Sequence, residues 1–536
     1  MINLIPKFKS GTQMKHRSSC AIILTLTICP YIEAKSDNKQ PNILFLLSDD
    51  AGYHDYGFQG STDFITPQID RLALSGTFCT NGYVTASVSG PSRAGILTGR
   101  YQQRFGFFLN PGDNDNLSKY EYTIADALKK LGYNTGIIGK WHMGLAEQYH
   151  PNDRGFDFFY GFLSGSRSYY PLPKSTDSSS KYKNGLRYNE ELQDETVMDF
   201  YTTDLFTDKA IEFMDESRNA DKPFFLYLSY NAIHGPLEAR AEDMEPYMGI
   251  KDPVRRITGG MTASLDKNFG RLLDYLEEHG LRENTLVIWV NDNGGEGTQM
   301  HTDNWPLRGF KGSETEGGIR VPFLLSMPNT IPQNQQYNLP VISLDLFPTF
   351  VKLAGGDPSI NPKSLDGVDL LPYLKGEITE APHDVLFWQR NNAAVRKGDW
   401  KLIKYYTKGG TIELYNLKDD IAEKINQVKN YPEIAKELEA KLTEWQAQHN
   451  KATGLPSIGT EIQNKDIVFP NPFHQSVSFQ AQNGFYRLFD VTGRELLNGK
   501  TIQGLNDINL PVLNQGTYLL YLAGKESIKT LKIVKH

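Results

Sequence analysis

The chain has 536 residues, with 56 Lys and Arg against 63 Asp and Glu, and a formal net charge of −7. Its 39% hydrophobic content excludes wholesale disorder, and its length allows roughly two to four domains around at least one large core. The mild acidity argues against a nucleic-acid partner, which asks for a basic face, and gives no bulk attraction for a polyanion, so an anionic substrate must be caught by local Arg, Lys or metal.

The first 34 residues read as a secretory signal. Lys7, Lys9, Lys15 and Arg17 precede an apolar stretch from Cys20 to Ile32, and Ala34 offers a small residue for cleavage. The stretch is too short, and too interrupted by Thr and by Pro30, for a transmembrane segment. Cys20 and Cys29 lie inside it, so the exported chain keeps Cys79 alone and forms no intramolecular disulfide.

From Pro41 to about Gly355, apolar runs alternate with amphipathic segments. Strands are expected at Asn42–Leu47, Thr135–Ile138, Phe224–Leu228, Leu286–Val290 and Val321–Leu325. Helices are expected from the Thr66-Pro67 cap to Leu74, and at Thr123–Leu131, Val197–Met214, Ser264–Leu276 and Leu344–Leu353. Continuous apolar strands between amphipathic helices predict an α/β fold: a large, mostly parallel sheet with helices on both faces and the site in loops leaving the strand ends. This domain is placed at 41–375. Residues 376–451 read as a small α+β subdomain, with antiparallel strands turning at Lys397-Gly398 and Gly409-Gly410 and a helix over Pro432–Gln448. A polar linker, 452–465, leads to a tail, 466–536, whose short alternating runs predict a β-sandwich.

Several polar clusters fall at the predicted strand ends. Ser48-Asp49-Asp50 closes the first strand, and adjacent carboxylates there repel unless a cation or protons intervene. Asn291-Asp292-Asn293-Gly294 closes another, so the two ends together offer an all-oxygen set suited to calcium or magnesium rather than zinc. Gly139-Lys140-Trp141-His142 and Asn231-Ala232-Ile233-His234 follow two further strands, and Arg308-Gly309-Phe310-Lys311-Gly312 lies in a glycine-rich loop. If the backbone is extended, Lys140 and His142 face the same side. Ser89-Gly90-Pro91-Ser92-Arg93 reads as a loop entering a helix, with Pro91 at the first helical position and Gly99 as the stop. A hydroxyl at that helix start, with Arg93 one turn on, is a seat for a nucleophile and an oxyanion.

The run Ser89 to Arg100, SGPSRAGILTGR, also resembles the signature of the type I sulfatases of the alkaline phosphatase superfamily, with every fixed position present in order. The resemblance extends from Pro41 to Gln448. It implies that Ser89 is converted by a formylglycine-generating maturation enzyme to formylglycine, whose hydrate is the nucleophile. It further implies that Asp49, Asp50, Asp292 and Asn293, with the group at position 89, bind one divalent cation, most simply calcium. Lys140, Lys311 and Arg93 would hold the sulfuryl group, His234 would protonate the leaving alcohol, and His142 would act as base. Arg154, Arg167, Tyr169 and Tyr170, with the segment from His301 to Arg308, are candidates for holding the sugar.

The tail resembles the type A sorting domain of type IX secretion through Phe469-Pro470-Asn471-Pro472-Phe473, Asp490-Val491-Thr492-Gly493-Arg494, Gly516-Thr517-Tyr518 and the basic end at Lys532–Lys535. The whole predicts an exported sulfatase acting on sulfated carbohydrate, algal oligosaccharides foremost. A formylglycine phosphomonoester or phosphonate hydrolase, and a non-catalytic surface protein that binds sulfated glycans, are the alternatives.

Overall fold

Phe45 and Leu47 point to one side of the first strand and Leu44 and Leu46 to the other, and all four are fully buried. That pattern requires a sheet covered on both faces, and the computed structural model has one. It describes residues 39–111, 116–173, 184–406, 409–453, 476–481, 484–490, 495–501, 504–510, 513–524 and 528–535. The expected signal over 1–34, nearly all of the linker, and the Phe469–Phe473 motif lie outside the described residues.

In chain order the large sheet uses β1 (Asn42–Ser48), β2 (Thr77–Cys79), β3 (Asn134–Lys140), β4 (Phe158–Phe162), β5 (Arg187–Tyr188), β6 (Glu191–Leu192), β7 (Phe224–Ser229), β8 (Thr285–Asn291), β9 (Phe323–Ser326) and β10 (Gln335–Tyr337). Their spatial order is β10-β2-β9-β8-β1-β7-β3-β4-β5-β6. The centre, β8-β1-β7-β3-β4, is parallel, whereas β9 runs antiparallel to β8 and β5 antiparallel to β4. The main helices are α1 (Pro67–Leu74), α2 (Ser89–Thr98), α3 (Ile124–Lys130), α4 (Thr202–Asn219), α5 (Pro253–Glu278) and α6 (Leu346–Leu353). Helices α2, α3 and α6 cover the Phe45 face through Ile96, Leu128 and Phe347. Helices α1, α4 and α5 cover the Leu44 face through Ile69, Phe213 and Phe269.

Two helix boundaries differ from expectation. Helix α4 starts at Thr202 rather than Val197, because Asp194 caps a separate short turn over Glu195–Val197 and leaves Val197 83% exposed. Helix α5 starts eleven residues ahead of the expected Ser264, at Pro253, where the Asp252 carboxylate accepts from the amides of Val254 and Arg255. Gly259 and Gly260, inside α5, mask that reach in the sequence.

The C-terminal subdomain is an antiparallel sheet of β11 (Val385–Gln389), β12 (Ala393–Lys397), β13 (Trp400–Tyr405) and β14 (Thr411–Asn416), crossed by α7 (Pro432–Thr453). Strand β11 was not expected. Its core, with Trp388, Leu402 and Trp445, is continuous with Tyr83, Ile319 and Leu344 of the large domain, so the two share one apolar interior. In the tail, Val477 and Phe479 of one small sheet pack with Leu488, Leu520 and Ile533 of a four-stranded one, the expected sandwich. No helix among the described residues is long and apolar enough to cross a membrane.

Candidate active site

The carboxyl ends of the parallel strands meet at one place. Asp49 and Asp50 leave β1, Lys140 ends β3, His234 follows β7, and Asp292 and Asn293 leave β8. This is where an open α/β sheet concentrates polar groups, because the strands fix the loop roots while the loops escape the sheet's own hydrogen bonding. Helix α2 aims its first residue into the cluster. It starts at Ser89, two residues before the expected start, so Pro91 occupies the third helical position, within the turn whose amides need no intrahelical acceptor. Gly99 closes the helix at φ 63°, in the left-handed region that glycine adopts freely.

Ser89 Oγ lies 3.1 Å from Asn293 Oδ1, 3.4 Å from Asp49 Oδ1 and 3.5 Å from Lys140 Nζ. Lys140 Nζ donates to Asp49 Oδ2 at 2.5 Å, and Lys311 Nζ to Asp50 Oδ2 at 2.6 Å. Asn293 Nδ2 donates to Asp50 Oδ1 at 2.8 Å. Arg93 Nε donates to Asp292 Oδ2 at 3.0 Å, and its Nη1 to the Lys140 carbonyl at 3.3 Å and to Ser229 Oγ. Ser229 in turn donates to the Lys140 carbonyl at 2.7 Å. Ser89, Asp49, Asp292, Asn293, Arg93 and Lys140 are fully buried.

Burial and charge compete here. Burial pushes the Asp49 carboxyl up, but Lys140, His234 and Arg93 outweigh it and hold the group below the ordinary carboxylate range. For Lys140, burial wins over the pull of Asp49 and lowers the ammonium. For Lys311, the Asp50 and Asp49 charges outweigh burial and raise it. Arg93 is raised as well, since Asp292 and its neighbours overcome desolvation. Burial, then the nearby Lys140 and Arg93 charges, drive His142 well below the usual imidazole range, so it stands neutral.

The two histidines are set differently. His234 Nδ1 lies 2.8 Å from the Gly235 carbonyl, which makes Nδ1 the protonated nitrogen and leaves Nε2 to face Asp50 Oδ2 at 3.5 Å. His142 takes φ 56°, so the backbone there is left-handed and not extended as the Lys140–His142 spacing had suggested. Asp50 shares that unusual conformation at φ 62°.

The donor set fits a hard divalent cation. Asp49, Asp50, Asp292 and Asn293 are oxygen donors at two adjacent strand ends, and Asp292 Oδ1 is buried with no hydrogen-bond partner among the described residues. Asp49, Asp50 and His234 also place one potential ligand atom each within 4.8 Å of one another.

The expected sugar-holding residues fare less uniformly. Arg154 is buried and spends its guanidinium on the carbonyls of Ser118 and Glu121, at 3.0 and 2.8 Å. Arg167 is buried in an ion pair with Glu195 at 2.6 Å. Tyr169 is fully buried, its Oη 2.9 Å from the carbonyls of both Asn231 and His234. All three make bonds that brace loops; charge and aromatic character in a loop do not distinguish bracing from binding. His301 is exposed and pairs with Asp252 at 2.6 Å. Tyr170 is 39% exposed. Ser229 and Gly165 were not singled out, and Asn304, inside the 301–308 segment, was not anticipated in the role it takes. Asn304 accepts from the amides of Tyr53 and Gly295, tying the Asp50 loop to the Asn293 loop. None of the three carries a local sequence signal.

A helix-start hydroxyl among three carboxylates and three fixed cations, on this sheet, defines a hydrolase of the sulfatase-like α/β class. The sulfatase family model matches residues 41–356, and the chain belongs to that family: it is a sulfuric ester hydrolase. The model of the N-sulphoglucosamine sulphohydrolase C-terminal region matches 313–448, and that of the secretion system C-terminal sorting domain matches 467–536. Among relatives, the chain is 30% identical to mouse arylsulfatase J, over 76% of each chain. It is 30% identical to dog N-acetylgalactosamine-6-sulfatase, covering 67% of this chain and 71% of that one. Among solved structures, it resembles Ps i-CgsB in complex with k-i-k-neocarrahexaose, at 36% identity and a TM-score of 0.71, over 79% of this chain and 96% of that one.

Proposed function

We propose that the protein is an exported sulfatase that removes sulfate esters from sulfated carbohydrate, with algal oligosaccharides as the substrate class, through a formylglycine made from Ser89. The observation that carries this reading is Ser89 Oγ at the first residue of a buried helix, within 3.5 Å of Asp49, Asn293 and Lys140 together. A serine alcohol can accept a sulfuryl group but has no second hydroxyl with which to expel it, which supports conversion of this side chain by a maturation enzyme in the producing cell. The match to a chain solved with a neocarrahexaose supports the carbohydrate substrate. The sorting domain, together with the signal expected over 1–34, supports export by the type IX machinery.

Asp49, Asp50, Asp292 and Asn293 would hold the cation, with calcium proposed because every donor is oxygen. When bound, the ion polarises a sulfate oxygen and gives the site a net positive charge, since the three carboxylates and the three side-chain cations otherwise cancel. Lys140 and Lys311 lie beside Asp49 and Asp50, placed to share their protons with sulfate oxygens as charge shifts during transfer. Arg93 holds Asp292 and the end of β3 in place. His234, as an imidazolium with Nδ1–H held by the Gly235 carbonyl, turns Nε2–H into the site, from where it delivers that proton to the departing alcohol and is left neutral. His142, held neutral, accepts a proton from the group at position 89.

Mass spectrometry of the Ser89 peptide, from protein exported by its natural route, tests the reading together with an assay of sulfate release from sulfated oligosaccharides. Loss of two hydrogens at Ser89 and sulfate release are expected. An intact serine in active protein, or turnover of aryl phosphates and phosphonates alone, overturns it.

A further inference from the structure

Beside the site lies a groove of about 810 Å³, between the turn Trp305–Arg308 and the edge of the C-terminal sheet. The turn is tethered to the catalytic centre at both ends. The Asp303 carbonyl accepts from the His54 amide at 2.8 Å, four residues after Asp50, and Lys311, three residues past Arg308, bonds Asp50 itself. One wall is Trp305 and Pro306, with Trp305 64% exposed. Its ring is braced edge-on against His54, centroids 5.0 Å apart, and its amide donates to Asp303 Oδ1 at 2.8 Å. The indole is therefore held in place while one face stays open to solvent. The opposite wall is Glu413 and Tyr415 from β14, both bonded to Arg308, with the exposed Lys424 at the rim.

The volume falls in the range of ligand-binding clefts, roughly 300–1,000 Å³. An open aromatic face with polar and charged groups around it suits a sugar ring, which offers C–H bonds on one face and hydroxyls at its edge.

We propose that this groove is a subsite for the sugar rings adjoining the one that bears the scissile sulfate, with Trp305 as the stacking platform and Lys424 placed to meet a further sulfate or carboxylate. The inference rests on the sulfatase reading above and extends it: the preferred substrate is an oligosaccharide that reaches from Ser89 to the C-terminal subdomain, rather than a sulfated monosaccharide.

The test uses the full-length matured enzyme and two substrates, a small aryl sulfate that ends at the sulfate site and the sulfated neocarrahexaose. Trp305→Ala is expected to lower kcat/KM for the hexaose about ten-fold more than for the aryl sulfate, with Trp305→Phe recovering much of the loss. Equal loss on both substrates, or no loss on the hexaose, overturns the proposal. A second readout is independent of turnover: in the Ser89→Ala protein, hexaose binding followed by calorimetry is expected to weaken about ten-fold on adding Trp305→Ala. Trp305-dependent binding there, together with no sulfate release from any sulfate ester by the matured wild-type enzyme, would sink the sulfatase reading and keep the groove. Binding indifferent to Trp305 would sink the groove alone.

Discussion

Lys140 Nζ and Asp49 Oδ2 are 2.5 Å apart, both fully buried, at the ends of two strands that do not touch: β7 lies between them. The ammonium also stands 3.5 Å from Ser89 Oγ, so one cation serves a carboxylate and the nucleophile position at once. Removing it leaves a buried carboxylate without its strongest partner. Lys140→Met is expected to cost about 3–5 kcal/mol of stability, measured by denaturant unfolding, and to reduce kcat about a thousand-fold. Unchanged stability would show that the pair is solvated in the working enzyme.

Ser89→Ala removes the proposed nucleophile and, beyond its hydroxyl, nothing from the core. Activity should fall by about three orders of magnitude or more, with thermal stability nearly unchanged. A Ser89→Ala protein retaining a tenth or so of wild-type sulfate release would overturn the assignment.

Metal removal should act on both stability and activity. Chelation is expected to lower Tm and abolish turnover, and calcium at about a hundred times its Kd should restore about 2.7 kcal/mol. Asp292→Ala, which deletes the buried oxygen that lacks a hydrogen-bond partner among the described residues, should remove most of that response.

Gly165 packs against the His142 imidazole, the proposed base. A Cβ there would sit 2.6 Å from His142 Nε2, so Gly165→Ala must push the ring aside. A displaced base should lower kcat by about ten- to a hundred-fold, with KM little changed and the fold intact. Wild-type kcat in this variant would show that His142 has room to relax.

A pH-dependent term lies away from the site. His383 Nε2 is 2.7 Å from Asp345 Oδ1; burial lowers the imidazole, but Asp345 outweighs it and the net shift is upward. A raised folded-state value means that the pair's contribution is full below the unfolded value, about 6.5, and is lost as pH rises through the folded one. His383→Gln should therefore cost more Tm at about pH 5.5 than at about pH 9, where the two proteins should converge. A constant difference across that range would assign the effect to packing.

The strand-end clusters and the nucleophile signature were legible in the sequence because each is short and local. Asp49-Asp50, Asp292-Asn293 and Ser89–Arg100 need no distant residue to be recognised, and the apolar runs before the carboxylates place them at strand ends. The same locality leaves long-range pairings unread. Arg154, Arg167 and Tyr169 have the right chemistry for a sugar, but Ser118, Glu195 and Asn231 take up their polar groups across the fold. The helix Pro253–Glu278 was shortened by its own glycines, which sit where neighbouring side chains press close.

What the sequence by itself determined was the order of the elements, the chemistry available at each strand end, and the signature on which Ser89 is proposed as the nucleophile. The tertiary structure decided which charges meet. Arg93 and Asp292 are 199 residues apart, Lys311 and Asp50 are 261 apart, and no periodicity links them. Sheet order alone puts β8 beside β1 and so brings the two carboxylate loops together, and burial then gives each pairing its weight, because a charge removed from water must find its partner wherever the chain has placed it. The groove under Trp305 belongs to the same category: its walls come from segments more than a hundred residues apart, and only their packing makes them one surface.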